Sequence, residues 1–222
     1  MTAQVPAIVE RAAQLAAHDR QGVVAYRMHR TSELHAGLYH RSDDVELVAV
    51  FDGERLVTVR VLRDQTDGKD NGDAAKAQLA RSLEQNVPDT GFAVPFDARH
   101  FGEYRYAVDG PRSVRFVSLE RDARHGAVTF SVDATGAVVR LSYSPNVLPK
   151  YATSGTIVDD RAQVVPAFWA TVREQQRYDG RYGPFHGSAI VTSDESGFRR
   201  FSDAAEAVRT VDSGAFERAP LK

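Results

Sequence analysis

Along the chain the spacing of apolar residues changes from helical to alternating and back. Between Pro6 and His18, Ile8, Ala12 and Leu15 recur at helical spacing with Val9, Ala13 and Ala16 beside them, while Glu10, Arg11 and Gln14 fall on another side. This predicts an amphipathic helix that needs a partner surface. Pro6 suits a first helical turn, and Gly22 is a plausible stop. From Gly22 the period is two: Val24, Tyr26 and Met28 alternate with Ala25, Arg27 and His29, and with the short run Gly37 to Arg41 they read as a hairpin. The next stretch, VELVAVFDGERLVTVRVL, places the turn signal Asp52-Gly53 between strands at Val45 to Phe51 and Leu56 to Leu62. With a two- or four-residue loop, Val48 and Val50 share a face with Val57, Val59 and Val61, and Leu47, Ala49, Phe51, Leu56 and Leu62 share the other. Both faces are then apolar, whereas a sheet with one wet face alternates apolar with polar. Either a helix and loops cover the two sides, or one side lines a cavity for an apolar guest.

Asp64 to Asp73 (DQTDGKDNGD) reads as a polar loop, and Ala74 to Val87, with Leu79, Leu83 and Val87 in phase, as a second helix closed by Pro88. Strands follow at Glu103 to Val108, Ser113 to Arg121, Ala127 to Val132 and Ala137 to Tyr143. The last two form a hairpin around Asp133 to Gly136 that sets Phe130 opposite Val139, Val128 opposite Leu141 and Thr129 opposite Arg140. Pro166 divides an extended tract from Thr156 to Tyr178. Strands at Gly187 to Thr192 and Phe198 to Phe201 come next, and Ser202 caps a short helix, DAAEAVRTV, with loose residues after Asp212. The expectation is one α+β domain over residues 1–222, with about nine to eleven antiparallel strands. It has an N-terminal helix in 1–21, a sheet over 22–201 interrupted by a middle helix near 73–87, and a C-terminal helix and tail in 202–222.

Composition narrows the function. The chain has 222 residues, with 28 Lys plus Arg against 30 Asp plus Glu and a formal net charge of −2, so no field for polyanions is expected and no nucleic acid partner is assigned. Apolar residues make up 42% and charged residues 26%, as in an ordinary folded domain. The absence of cysteine excludes thiolate catalysis, cysteine-ligated metal and a lipobox cysteine within these residues. No window approaches the ~18 apolar residues of a membrane-spanning helix, and the opening MTAQVPAIVERAAQ has neither the basic nor the apolar region of an export signal.

Candidate chemistry is sparse. His29, His35 and His40 lie close in sequence with Glu33 nearby, but their spacing matches no ligand pattern, and surface histidines are the simpler reading. Asp64, Asp67, Asp70 and Asp73 suggest a calcium loop, which Lys69 and Gln78 at ligand positions contradict. The tetrapeptide Asp97-Ala98-Arg99-His100 recurs as Asp122-Ala123-Arg124-His125. A four-residue match is within chance at this length, and the second copy sits where a hairpin turns. Within either copy the Asp could orient the His as a general base, with Ser113 or Ser118 as a remote nucleophile, which makes a hydrolase a third-ranked reading. No nucleophile elbow, phosphate loop or zinc-protease motif is present. No catalytic residue, metal or cofactor is therefore assigned.

The order of parts (a helix packed on a sheet, strand pairs apolar on both sides, a middle helix, more antiparallel strands, a short last helix) resembles the bacterial LolA and LolB lipoprotein carrier and receptor fold. The N-terminal domain of the RseB envelope-stress regulator shares that fold. The resemblance implies an incomplete barrel curled around helices and an interior that holds acyl chains. It also implies an extracytoplasmic protein whose partner is a lipid or a lipidated protein, with cytoplasm as the alternative. On this reading the protein is a non-enzymatic carrier or sensor, and the expected lining is Val24, Tyr26, Met28, Val48, Val50, Val57, Val59, Phe130 and Leu141. A regulatory module that docks a protein partner is the rival.

Overall fold

The computed structural model describes residues 5–17, 21–85, 93–166, 168–182 and 185–218. Helix α1 (Ala7–Ala16) leads into strands β1 (Val23–Ala36), β2 (Tyr39–Asp52), β3 (Arg55–Thr66) and the two-residue β4 (Lys69–Asp70), then helix α2 (Asp73–Gln85). A 3-10 turn (Ala98–Glu103) opens the second half, with β5 (Tyr104–Gly110), β6 (Ser113–Ser118), β7 (Gly126–Val132), β8 (Val138–Pro145), β9 (Ala152–Val165), β10 (Phe168–Tyr182) and β11 (Phe185–Phe201). Helices α3 (Ala204–Asp212) and α4 (Ala215–Arg218) end the described chain. All pairings are antiparallel in one open, curved sheet of order β4-β3-β2-β1-β11-β10-β9-β8-β7-β6-β5. The α+β class and the strand number match the expectation from the sequence.

Several strands are longer than the alternation suggests. β2 joins the short run after Gly37 to the run ending at Phe51, so the two expected hairpins are one continuous three-stranded meander. Its outer half is largely exposed and mostly polar, with Leu34, Ala36 and Tyr39 as the apolar exceptions. The expected loop after Asp64 is partly strand: Asp67 (φ 49°) and Gly68 (φ 74°) make a tight left-handed turn that pairs Thr66 with Lys69. The middle helix ends at Gln85, and Val87 and Pro88 lie outside the described residues.

The β2–β3 register corrects the expected faces. Asp52 pairs with Arg55 and Phe51 with Leu56, but Val50 pairs with Thr58, so a bulge at Val57 shifts the register by one as far as Val61, and a second bulge at Leu62 shifts it again. Val59 consequently lies opposite Ala49, and Val61 opposite Leu47, not on the side of Val48 and Val50. The β7–β8 hairpin is displaced too: Phe130 faces Leu141, Val128 faces Tyr143 and Thr129 faces Ser142. Asp133 lengthens that loop by accepting the N–H groups of Thr135, Gly136 and Ala137 at 2.8, 3.0 and 3.1 Å.

Direct partners in antiparallel strands share a face. One ladder row runs Val114, Phe130, Leu141, Asp159, Glu174, Ser193, Arg30, Val45. Phe130 and Leu141 pack with α1 through Val9 and Ala12, and Val45 packs in the cluster that receives Leu83 of α2. Both helices therefore cover one face, the inner one. The opposite face buries Val23, Ala25, Val48 and Val50 under Ala207 and Val211 of α3 and Phe216 of α4. Residues up to Arg218 are therefore not loose: Phe216 is buried in that cluster.

Phe216→Ala removes this anchor, and a loss of about 3 kcal/mol is expected in denaturant unfolding. A midpoint unchanged from wild type would mean that α4 contributes nothing to the fold.

Candidate functional site: two cavities on the inner face

The nine residues proposed from the sequence do not form one wall. Tyr26 pairs with Ala49 and Met28 with Leu47, so they share the inner face with Val59. Val48 pairs with Arg27 and Val50 with Ala25, which places both on the outer face, where Val57 also packs. This corrects the in-phase reading: the two-residue turn at Gly37-Leu38 pairs even-numbered residues of β1 with odd-numbered residues of β2, and the bulge at Val57 then moves Val59 to the inner face. Val24 packs against Phe168 and Ala170. Phe130 is fully buried under Phe96, and Leu141 borders a large cavity.

The first cavity occupies the far end of the inner face, about 690 Å³ in volume. Sheet rows Tyr39, Ala36, Gly187, Gly180 and Leu34, Ala189, Tyr178 form its floor. The floor is low because its central positions carry Ala or Gly. A Cβ at Gly187 would lie 2.6 Å from the His35 carbonyl oxygen, so close pairing there requires glycine. Large apolar side chains stand around this floor: Leu34, Leu38, Tyr39, Tyr151 and Phe185 all line the cavity and are all exposed, Leu38 completely. Sequence reasoning missed them. The available signal was small residues alternating on otherwise polar strands, Ala36 on β1 and Gly187 and Ala189 on β11.

A second cavity of about 710 Å³ lies nearer the helices, walled by Ala13, Ala16 and Ala17, by Val94, Phe96 and Arg99, and by Leu141, Asp159, Arg161 and Thr171. It is the more polar of the two. Asp159 and Glu174 are direct cross-strand partners, and Oδ1 of Asp159 is buried without a hydrogen-bond partner. Burial, and then the neighbouring Glu174, push the Asp159 carboxyl up to about 7. Arg161 shares that strand face and lies over the Phe96 ring at 5.4 Å. The nearby Tyr143 hydroxyl is also driven upward, by burial and then by Asp159 and Glu174.

The histidines divide into two groups. His29 reaches Asp44 at 3.1 Å, while His35 and His40 are cross-strand partners with ring centroids 4.5 Å apart, so the three do not converge on a point. The duplicated tetrapeptides do meet. Each Asp accepts the N–H of the Arg two residues on, and the two imidazoles reach the same carboxylate oxygen: His100 Nδ1 and His125 Nε2 each lie 2.8 Å from Glu103 Oε2. His125 Nδ1 lies 2.5 Å from Asp122. Both ring nitrogens of His125 are thus committed to carboxylates, which suits a held imidazolium and not a general base. Ser118 donates to the Glu120 carbonyl at 3.0 Å instead of facing a histidine.

No protein-family model matches the chain. No curated protein matches it in sequence either. Among solved structures it is similar to a putative outer membrane lipoprotein-sorting protein domain from Vibrio parahaemolyticus, at 12% identity over 95% of this chain and 98% of that one, with a TM-score of 0.41. It is also similar to a LolA superfamily protein from Nitrosomonas europaea, at 11% identity over 93% and 96%, with a TM-score of 0.36. A DUF1329 family protein from Desulfovibrio piger gives 13% identity over 97% and 100%, with a TM-score of 0.34. The likeness is one of fold.

The carboxyl pair of Asp159, in the wall of the second cavity, and its cross-strand partner Glu174 makes a stability prediction. Because the folded-state pKa of Asp159 is raised, the folded form binds the extra proton, and its contribution is lost as pH rises from about 4 through about 7. Asp159→Asn is expected to raise unfolding stability at pH 8 by on the order of 1 kcal/mol or more, and to have little effect at pH 4. Equal stability of the two proteins at pH 8 would show that the pair costs nothing.

Proposed function

We propose that the protein binds an apolar chain, that of a lipid or of a lipidated protein, on the inner face of its sheet and performs no chemistry on it. The observation that supports this best is the far cavity. Its volume lies within the roughly 300–1,000 Å³ range of ligand pockets, and its walls are large apolar side chains left in water. Exposed apolar side chains concentrated at one concave place are a recognised mark of a binding surface. Burial there returns roughly 25 cal/mol for each Å² of apolar area removed from water, on both ligand and protein, which suits a long methylene chain. The small floor residues leave room for such a chain without any change in strand register. A carrier or envelope sensor outside the cytoplasm is the setting this reading favours, following the resemblance in the order of elements.

The test is binding of a fluorescent long-chain fatty acid, read as an emission increase, to wild type and to Ala189→Trp and Phe185→Ser. Wild type is expected to bind in the micromolar range or tighter. Ala189→Trp, which fills the floor, should weaken binding at least tenfold, and Phe185→Ser less, with circular dichroism unchanged in both. Wild type that shows no saturable binding and carries no solvent-extractable lipid, while a co-purifying protein occupies the cavity, would replace this reading with a protein-docking one.

A further inference from the structure

The His100, Glu103, His125 and Asp122 cluster has no part in binding at the far cavity, yet it fastens a wall of the other one. Residues 94, 96, 97, 98 and 99 border the second cavity, and the 3-10 turn that ends this stretch carries His100 and Glu103. The partners come from elsewhere: Asp122 and His125 lie in the connection between β6 and β7. The upstream end of the stretch is held apolarly and by backbone, through buried Ala93 and Phe96, the Ala93 N–H to Arg124 carbonyl bond at 2.6 Å, and the hydroxyls of Tyr104 and Tyr106 on the Ala93 and Pro95 carbonyls. The downstream end has one backbone bond, from the Leu119 N–H to the Glu103 carbonyl at 2.8 Å, and the packing of Phe101 on Tyr106, and its side-chain fastening is by the imidazoles.

We propose that this cluster is a proton-operated clasp, closed while His125 is an imidazolium and loosened when it loses its proton, so that acidity controls how firmly residues 97–103 wall the second cavity. The proposal is independent of what occupies the far cavity.

The chemistry follows from the two carboxylates. A protonated His125 donates from Nδ1 to Asp122 and from Nε2 to Glu103 at once. A neutral ring has one N–H, so one nitrogen must present its lone pair to a carboxylate oxygen at hydrogen-bond distance, and that contact becomes repulsive. Burial opposes the charge on His125, but its hydrogen bonds to Asp122 and Glu103, with their negative charges, outweigh it and hold its pKa above the ordinary 6.5. The His125 hydrogen bond foremost holds Glu103 and Asp122 below the usual carboxylate range. The other groups at the cluster are His100 and Asp97 on the 3-10 side, the Tyr104 ring at 5.7 Å, and Arg124 beside Asp122. Tyr104 stays neutral, since burial raises it, so it does not titrate in the same range. For His125 the stabilisation is complete below about pH 6.5 and is lost as pH rises through its raised value. For the carboxylates it is lost only on strong acidification.

Hydrogen exchange with mass readout tests this on the full chain, with rates divided by the intrinsic rate at each pH. Between pH 5.5 and pH 8.5, protection of the peptide covering 97–103 should fall at least tenfold, while a peptide from the centre of β1 stays constant. In His125→Gln, whose amide has donors at one end only and an acceptor oxygen at the other at any pH, that peptide should be poorly protected at both values and show no pH dependence. A wild-type peptide equally protected at both pH values overturns the proposal, as does a His125→Gln protein that keeps the wild-type pH dependence. If His125→Gln fails to fold, the wild-type comparison and an NMR titration of the His125 ring still decide, and a ring pKa at or below 6.5 overturns it.

Discussion

The ladder between β1 and β11 pairs Val23 with Phe201 at one end and Ala36 with Gly187 at the other, and it places the first strands beside the last. This antiparallel pairing turns two meanders into one sheet with two continuous faces. Closing so long a loop is entropically unfavourable, and the return comes only when both faces are covered. The outer face receives α3 and α4 beneath which Val48 and Val50 are fully buried. The inner face receives α1 at one side and α2 at the other. Because these helices do not extend to the far ends of the long hairpins, the apolar residues there remain uncovered, and the cavity around Leu34 and Phe185 exists.

Much of this was legible. The runs Val45 to Phe51 and Leu56 to Leu62 are apolar in both phases, and from that alone both faces had to be covered, as they are. Helix α1 followed from the spacing of Ile8, Ala12 and Leu15. The assignment of residues to faces was not legible, because an unpaired residue at Val57 reverses the phase of β3 until a second one at Leu62 restores it, and nothing in the composition of that strand marks either bulge. Tight pairing across Asp67-Gly68 was obscured by the surrounding polar residues, although the same dipeptide signal at Asp52-Gly53 was read as a turn.

The candidate site was less legible, for a related reason. Its floor lies on strand ends that are polar in sequence, and its small residues become a surface only when β1, β10 and β11 are set side by side. The repeated Asp-Ala-Arg-His segments are similar: each builds its own local turn, and only the tertiary fold brings both histidines onto Glu103. Sequence spacing cannot encode such a meeting, since it depends on the order of strands and not on their period.

The inner face is not uniformly apolar, and the polar part has its own logic. Along one ladder row Phe130 and Leu141 give way to Asp159 and Glu174, two carboxyls facing each other with one oxygen unpartnered. Like charges opposed across a ladder are destabilising, and Asp159 meets this by holding its proton to about pH 7. A chain that served stability alone would place an apolar pair there, because the flanking Leu141 and Tyr143 already pack against the core. The carboxyls stand instead beside a cavity whose nearer wall is fastened by a second carboxyl cluster, around His125. Polar groups that weaken the fold at the edge of this cavity, together with a fastening that depends on a proton, distinguish this end of the inner face from the greasy one. The sheet thus carries two chemically different chambers on one surface, and the register of β9 with β10 sets where one character yields to the other.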